Sequence, residues 1–183
     1  MAAGGMVVVA STSDDTIRAL DLKTGAHRWC FVAGGPVRFS PQIDGGRIYA
    51  GSDDGFVYCL DATSGRLVWK FRAAPDDDLL IGNGRMISRW PVRTGVLVLD
   101  GTVYCAAGMW NAEGIHVIAL SADTGKVVWR NDTCAFIGVA FKGTLDPQKA
   151  EAILNNPTHQ GEFGATGITP QGALLAKIGR AHV

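Results

Sequence analysis

The chain has 183 residues, and its 17 Lys plus Arg residues balance 17 Asp plus Glu residues to a formal net charge of zero. This balance gives no electrostatic basis for binding nucleic acid or an anionic membrane surface. No segment approaches the roughly 18 consecutive apolar residues that a spanning helix needs, so we expect no membrane span. The 24 glycines and short apolar runs indicate brief strands joined by turns, and therefore an all-β chain.

The first predicted strands lie in residues 6–33. The opening run MAAGGMVVVA has no basic leader and aligns with the later strand RIYA, so we interpret it as a strand and not as a signal peptide. A complete unit of four short alternating runs follows over residues 34–73. Glycine-containing turns separate its runs, in the segments GG at 45–46, DDG at 53–55 and TSG at 63–65. We interpret the aspartates of these turns as turn formers.

A third unit is predicted over residues 92–131, after an insertion at 74–91. Trp29 and Trp69 are 40 residues apart and Trp69 and Trp129 are 60 apart, and a period near 40 matches one four-stranded propeller blade. The remaining boundaries are a second insertion at 131–160, the start of a further blade at 161–176 and a suspected adapter-derived scar at 178–183.

These units predict an all-β fold, a β-propeller fragment of four-stranded antiparallel blades within residues 1–177. About two blades are complete and two are partial. A propeller closes with about four to eight blades, so this arc is expected to stay open and to expose unpaired strand edges.

One segment recurs three times, as ALDLKTGAHRW at 19–29, CLDATSGRLVW at 59–69 and ALSADTGKVVW at 119–129. It resembles the A-x-D-x-x-T-G-K-x-x-W tryptophan-docking motif of the pyrroloquinoline-quinone (PQQ)-like β-propeller family. The chain is thus similar to the propellers of quinoprotein dehydrogenases and of the outer-membrane barrel-assembly lipoprotein. Members of that family share the blade and not one activity.

The resemblance implies a structural role for the repeated Trp, which stacks on a neighbouring blade. Each such Trp would bury roughly 150 to 250 Å² between a small residue and the glycine of the next motif. The implied docking residues are Ala19, Asp21, Gly25, Trp29, Asp61, Gly65, Trp69, Ala119, Gly125 and Trp129. Ser121 replaces the Asp that would brace the third turn.

The four cysteines, Cys30, Cys59, Cys105 and Cys134, form neither a CxxC pair nor a zinc spacing. Cys59 and Cys105 occupy slots that hold Ala in other copies, which favours small buried residues. In the quinoprotein dehydrogenases, the resemblance implies adjacent cysteines over the quinone and a calcium ion held by Glu, Asn and Asp. No adjacent pair occurs in this sequence, so we expect no cofactor here, while PQQ and calcium stay open for the full-length protein.

The non-repeating loops are where we expect binding, because such scaffolds carry function on loops. An exposed Trp beside Arg or Asn can stack on and hydrogen-bond a planar or sugar-like ligand. The ligand-binding candidates are Arg89, Trp90, Trp110, Asn111 and Glu113. The alternative for Trp90 is a plug that holds its loop onto the propeller. We predict no catalytic residue and no metal ligand, and we interpret the run at 76–78 as a solvated turn.

Two functions stay open. The first is a non-catalytic platform that binds a ligand or protein in the bacterial envelope, with the remaining blades of the same chain as structural partners. The second is part of a PQQ-dependent alcohol or sugar dehydrogenase, which would make the chain an oxidoreductase. A periplasmic or otherwise exported location follows from the family resemblance alone.

Overall fold

The structure is a computed structural model that describes residues 1–110 and 113–132. These residues lie in one compact unit, Met1–Phe136. The regular elements in the described part are all strands, and no helix there is long and apolar enough to cross a membrane. The predictions for Asn111, Cys134, the further blade at 161–176, the scar and all but the start of the second insertion fall outside the described residues.

Three four-stranded antiparallel sheets follow one another along the chain, each with its strands in sequence order. The first contains β1 (Ala2–Ala3), β2 (Met6–Ala10), β3 (Thr16–Asp21) and β4 (His27–Val32). The second contains β5 (Gln42–Asp44), β6 (Arg47–Gly51), β7 (Phe56–Asp61) and β8 (Leu67–Arg72). A hairpin of β9 (Leu79–Gly82) and β10 (Arg85–Ser88) precedes the third sheet, which contains β11 (Leu97–Leu99), β12 (Thr102–Ala107), β13 (His116–Ser121) and β14 (Val127–Asn131). The predicted all-β fold of four-stranded antiparallel units is confirmed.

The first sheet contains one strand, β1, that the sequence analysis does not predict. The predicted strands of this sheet begin at residue 6, and β1 precedes them. Gly4 and Gly5 both adopt positive φ, at 58° and 71°, and reverse the chain so that Ala2 pairs with Val7. The terminal amino group of Met1 also donates to the carbonyl of Val8 at 3.0 Å. Two alanines carry no strand pattern of their own, which is why periodicity alone does not detect β1.

The second sheet is buried on both faces. Its successive side chains point to opposite faces, and each face packs against a neighbouring sheet. Ile48 and Leu60 pack into a core with the first sheet. Tyr49 and Cys59 point to the other side and pack into a core with the third sheet. Cys59 and Cys105 are both buried, as predicted, and burial raises the pKa of their thiols to about 11 and about 12.

Trp29 joins the first sheet to the second. Its indole Nε1 donates to the carbonyl of Ala62 at 3.0 Å, and the side chain is only 8% exposed. The ring packs closely against Gly65, since a Cβ atom added there would lie 2.5 Å from Cδ2 of Trp29. Any larger residue at Gly65 would therefore collide with the indole.

The second and third sheets meet in the same way. Trp69 Nε1 donates to the carbonyl of Ala122 at 2.9 Å, and a Cβ on Gly125 would lie 2.7 Å from Cδ2 of Trp69. Trp129 holds the equivalent position in the third sheet but is 44% exposed. The described residues thus contain one type of sheet-to-sheet contact twice, and Trp129, the third copy of the repeated tryptophan, is exposed to solvent.

Candidate functional site

One edge of the sheets carries all the irregular connections. Because neighbouring strands are antiparallel, the turns β2–β3, β6–β7 and β12–β13 lie at the same edge as the connections 33–41 and 73–96. We call this edge the connection face. Its loops are the natural place for a binding site, since the sheets below hold them in fixed positions.

A buried carboxylate stands at the centre of the connection face. Asp53 is 1% exposed and accepts from Arg38 Nε at 2.7 Å on Oδ2. Arg93 binds both oxygens, with Nε 2.8 Å from Oδ1 and a terminal nitrogen 2.8 Å from Oδ2. The Asp53 amide donates to Pro36 O at 2.9 Å, and its carbonyl accepts from Ser88 N at 2.8 Å. Asp53 therefore ties both connections to the β6–β7 turn.

Asp53 was predicted to be a turn former, and the two arginines that bind its carboxylate were not predicted. A signal for them does exist, because Pro-Val-Arg occurs both at 36–38 and at 91–93, once in each connection. The repeated Arg lies at corresponding points before two successive sheets. Both arginines bind the carboxylate of Asp53, which lies in the turn between the two sheets' connections. The sequence alone does not show this contact, because it depends on how the two connections lie beside that turn.

The inserted hairpin is attached to the first sheet by a bidentate ion pair. Arg85 donates to Asp15 from both terminal nitrogens, at 2.7 and 2.9 Å, and also to the carbonyl of Thr12 at 2.9 Å. Asp15 has a φ of 60°, a conformation that Asp tolerates better than most residues. The insertion is therefore a positioned element of the connection face.

Arg89, Trp90, Trp110, Glu113 and His116 form a group that we call the loop corner. Trp90 is only 8% exposed and donates its Nε1 to the carbonyl of Glu113 at 2.6 Å. The guanidinium carbon of Arg89 lies 5.7 Å from the Trp90 ring centroid. Arg89 also donates to Asp78 at 3.0 Å and has Nε 3.8 Å from Glu113 Oε1. These contacts hold the end of the insertion against the β12–β13 loop.

Three buried polar atoms of the loop corner have no hydrogen-bond partner among the described residues. They are Arg89 Nε, Glu113 Oε2 and His116 Nε2. The other ring nitrogen of His116, Nδ1, lies 2.6 Å from Asp132 Oδ1. Burial acts to raise the pKa of Asp132, but hydrogen bonds from Arg130 and His116 outweigh it and lower that pKa. A buried polar group without a hydrogen bond costs about 1–3 kcal/mol. The loop corner therefore offers a donor, an acceptor and an imidazole nitrogen to a ligand that could hydrogen-bond them.

The structure brings three of the five candidate ligand residues into contact, namely Arg89, Trp90 and Glu113. Trp110 lies in the same loop and is 39% exposed. Trp90 is buried against Glu113 and has an edge-on contact with His116 at 6.3 Å between ring centroids. Its ring thus anchors the loop, and the exposed indole of the corner is that of Trp110.

A second concave region lies on the outer side of the second sheet. It is a pocket of about 430 Å³ between β7, β8 and the insertion. Phe56 forms its apolar wall, with Lys70 Nζ 5.0 Å and the Arg72 guanidinium carbon 5.7 Å from the ring centroid. Asp76 and Asp77 line the opposite side. Side chains of both charges therefore line the pocket.

The described residues do not fit the quinoprotein arrangement. Cys30 is exposed, Cys59 and Cys105 are buried in separate strands, and none is adjacent to another cysteine. Within residues 1–110 and 113–132, no group of three or more His, Cys, Asp or Glu side chains converges on a metal position.

A PQQ-like repeat family described as outer membrane protein assembly factor BamB matches residues 13–154. Among curated proteins, the dehydrogenase subunit of a quinone-type alcohol dehydrogenase from Komagataeibacter europaeus is 28% identical over 167 residues, which cover 84% of this chain and 21% of that protein. A tetrathionate hydrolase from Acidithiobacillus ferrooxidans is 31% identical over 110 residues, or 49% of this chain and 19% of that protein. The chain thus spans about a fifth of the length of these relatives.

Two solved structures show the same fold at low identity. A europium-containing methanol dehydrogenase superposes with a TM-score of 0.56 at 22% identity, covering 70% of this chain and 23% of that one. A quinohemoprotein alcohol dehydrogenase from Comamonas testosteroni gives a TM-score of 0.57 at 22% identity, covering 69% and 19%. These likenesses confirm the predicted propeller arrangement of the sheets.

Proposed function

The chain belongs to the PQQ-like repeat family described as outer membrane protein assembly factor BamB, and we propose that it is a non-catalytic binding module of a larger propeller. The module presents the loop corner to a small molecule or to a segment of another protein, and it acts as an assembly platform in the bacterial envelope. The periplasmic or exported location rests on the family. Because the chain spans about a fifth of its relatives, the remaining blades are proposed to lie in the rest of a longer protein.

The observation that carries this proposal is the set of buried polar atoms in the loop corner that have no hydrogen-bond partner among the described residues. Arg89 Nε offers a donor, Glu113 Oε2 offers an acceptor, and His116 Nε2 offers either one. Buried polar groups in folded proteins are nearly always paired. A ligand that carries a hydroxyl beside an amide or carbonyl would satisfy such a set, and the exposed Trp110 ring could stack on its flat face.

Support for a structural rather than chemical role comes from the other charges of the connection face. Asp53 is held by Arg38 and Arg93, and Arg85 is held by Asp15. These pairs fix loops in place, and they occupy both carboxylates with guanidinium groups of the same chain. The repeated tryptophan-docking motif is proposed to serve the same purpose, by holding one blade against the next.

A thermal-shift screen tests the proposal. The chain is heated with a panel of hydroxyl-rich and amide-bearing metabolites, and every compound that raises the melting temperature is repeated on Glu113→Gln. The matched control is Asp44→Asn, an exposed carboxylate at the opposite edge of the second sheet. We expect compounds that stabilise the wild-type chain and the control but not Glu113→Gln. A panel without any shift, or shifts that survive in Glu113→Gln, would contradict a binding role for the loop corner.

A second candidate is part of a PQQ-dependent alcohol or sugar dehydrogenase. Its specific support is the 28% identity to a quinone-type alcohol dehydrogenase subunit over 84% of the chain. The test is dye reduction by the complete natural protein, with alcohols or sugars and with added PQQ and calcium. Reduction that depends on both additions would favour the dehydrogenase, and its absence across substrates would favour the binding module.

A further inference from the structure

The pocket on the outer side of the second sheet is a further candidate binding site, separate from the loop corner. Its volume of about 430 Å³ lies in the range of roughly 300–1,000 Å³ that is typical of small-molecule pockets. All its lining residues lie between Gly34 and Ser88. The connection 33–41, the second sheet and the insertion therefore form its walls, and the pocket shares no residue with the loop corner.

One part of the pocket wall is a network of hydrogen bonds around Asp54. The Tyr58 hydroxyl donates to Asp54 Oδ2 and accepts from the amide of Gly34 at 3.1 Å. Burial and the neighbouring Asp54 carboxylate raise the pKa of Tyr58, so its hydroxyl keeps the proton that it donates. Asp54 Oδ1 accepts from the amide of Phe56 at 3.0 Å. Both oxygens of Asp54 thus have a donor, and this carboxylate supports the wall.

Two cationic side chains line the pocket from β8. Lys70 and Arg72 are exposed, and both pack on the Phe56 ring, with Lys70 Nζ 5.0 Å and the Arg72 guanidinium carbon 5.7 Å from its centroid. This cation–π contact keeps the two charges close to the pocket. Neither side chain forms an ion pair with a carboxylate of residues 1–110 or 113–132. Both cations are therefore available to an anionic group of a ligand.

Two carboxylates line the pocket from the insertion. Asp76 Oδ1 accepts from the amide of Asp78 at 2.9 Å, and the amide of Arg89 donates to the Asp78 carbonyl at 2.9 Å. These bonds hold the acidic segment in place. Within the described part of the chain, neither Asp76 nor Asp77 forms an ion pair. The Asp77 carboxylate and Asp76 Oδ2 are therefore available to a cationic group.

An apolar surface and one buried hydroxyl complete the pocket. Leu79 lines it together with Phe56 and is 56% exposed. Ser88 is 2% exposed, and its Oγ accepts from the amide of Trp90 at 3.1 Å. The hydroxyl proton of Ser88 has no acceptor among the residues that the structure describes. Buried polar groups are nearly always paired, and an acceptor atom of a ligand would satisfy this one.

We propose that this pocket binds a zwitterionic amino acid with an apolar side chain. The carboxylate of the ligand binds Lys70 and Arg72, since a guanidinium group can form two parallel hydrogen bonds with a carboxylate. The ammonium group binds Asp76 and Asp77 through charge-assisted hydrogen bonds. The apolar side chain of the ligand lies on Leu79.

A ligand with a single charge matches this pocket less well. An anion bound beside the two cations of β8 faces the two carboxylates of the insertion, and a cation bound beside the carboxylates faces the two cations. Placing like charges opposite each other costs binding energy. A zwitterion instead brings each of its charges to side chains of the opposite sign. The pocket therefore favours a molecule that carries both charges.

Isothermal titration calorimetry of the full chain with L-leucine tests the proposal. Three comparison compounds each lack one group of L-leucine: isocaproate lacks the ammonium group, isoamylamine lacks the carboxylate, and glycine lacks the apolar side chain. We expect L-leucine to bind at least about ten-fold more tightly than each of them, because each has lost one of the three contacts.

Two variants assign the charged groups of the ligand to their sides of the pocket. Arg72→Gln should weaken the binding of L-leucine and isocaproate about ten-fold and leave that of isoamylamine unchanged. Asp77→Asn should weaken the binding of L-leucine and isoamylamine and leave that of isocaproate unchanged. The matched controls are Arg66→Gln and Asp44→Asn, at exposed positions on the opposite edge of the second sheet. Both controls should bind all the compounds like the wild-type chain.

The titrations have three outcomes that would overturn the proposal. The first is the absence of binding heat with L-leucine at millimolar concentrations. The second is equal affinity for L-leucine, isocaproate and isoamylamine, because the pocket would then not recognise both charges. The third is binding that Arg72→Gln and Asp77→Asn leave unchanged, which would place the ligand elsewhere on the chain.

Discussion

Trp29 and Trp129 have the same place in their sheets and opposite surroundings. Each faces an alanine of the preceding strand, at a register shift. Trp29 is 8% exposed because the second sheet supplies a glycine and a carbonyl against it, while Trp129 is 44% exposed. The repeated sequence therefore determines the conformation of the tryptophan, whereas the neighbouring sheet determines how much the tryptophan stabilises the fold.

The two glycine turns show the same difference from the other side. Gly25 and Gly65 share a φ of 71°, but only Gly65 has an indole within contact distance. Backbone strain is therefore equal at the two positions. Any difference between equivalent substitutions there reports the contact with the tryptophan.

Replacing Trp29 should give the largest change in the free energy of unfolding. Trp29→Ala opens a cavity between two sheets and leaves the Ala62 carbonyl without its donor, so the free energy of unfolding should fall by about 3–5 kcal/mol. Trp129→Ala should change it by less than about 1 kcal/mol in dilute solution, because an exposed side chain loses little. Urea unfolding of both variants under the same conditions measures the two values. Equal losses would show that the indole acts within its own sheet.

Substituting Gly25 and Gly65 should give an intermediate change in the free energy of unfolding. Gly25→Ala and Gly65→Ala both pay the left-handed strain of roughly 1–2 kcal/mol. Gly65→Ala must in addition displace the Trp29 ring, which lies 2.5 Å from the new Cβ, and overpacking typically adds about 1–3 kcal/mol. The measurement is the difference in unfolding free energy between the two variants. A value near zero would mean that the ring moves aside without cost.

Lowering the pH should give the smallest change in the free energy of unfolding. The change should depend on Asp61 in the β7–β8 turn, which has an uncharged counterpart, Ser121, in the β13–β14 turn. Hydrogen bonds from the Ser64 side chain and amide lower the pKa of Asp61 below its ordinary 3.8, whereas Ser121 holds the equivalent position without a charge. A lowered pKa means that the stabilisation is present above the unfolded pKa and is lost as pH falls through the folded one. Asp61→Ser should therefore be less stable than the wild-type chain near neutral pH and should approach it as the pH falls below 3.8 and through the lowered pKa of Asp61.

Urea titrations at several pH values provide that comparison, with Asp44→Ser as a control carboxylate outside the motif. The control measures what the same Asp-to-Ser replacement does away from the repeated turn. A constant difference between Asp61→Ser and the wild-type chain at every pH would show that the charge of Asp61 contributes nothing.

Much of the fold could be predicted from the sequence, because the determining signals are local. Alternation and glycine turns located the strands of the second sheet, and the spacing of Trp29, Trp69 and Trp129 located the sheets. The two-residue strand β1 was not predicted, because Ala2 and Ala3 have no alternating pattern. They pair with β2 only because a glycine turn lies between the two strands. Burial of Cys59 and Cys105 followed from their alignment with alanines.

The candidate site was less accessible from sequence because its contacts are long-range. The loop positions of Arg89, Trp90 and Glu113 could be named, but the 2.6 Å bond that buries Trp90 joins residues 23 positions apart. Arg93 meets Asp53 over 40 positions. Such pairs depend on how two connections lie side by side, which neither propensity nor spacing encodes.

A double-mutant cycle between Trp29 and Gly65 measures directly whether the tryptophan joins the first two sheets. Unfolding free energies are measured for Trp29→Ala, Gly65→Ala and the double variant. We predict that Gly65→Ala costs about 1–3 kcal/mol less once Trp29 is absent, and no more than Gly25→Ala costs in the wild-type chain. Additive losses, with no coupling between the two positions, would contradict the claim that the tryptophan joins neighbouring sheets through the glycine turn.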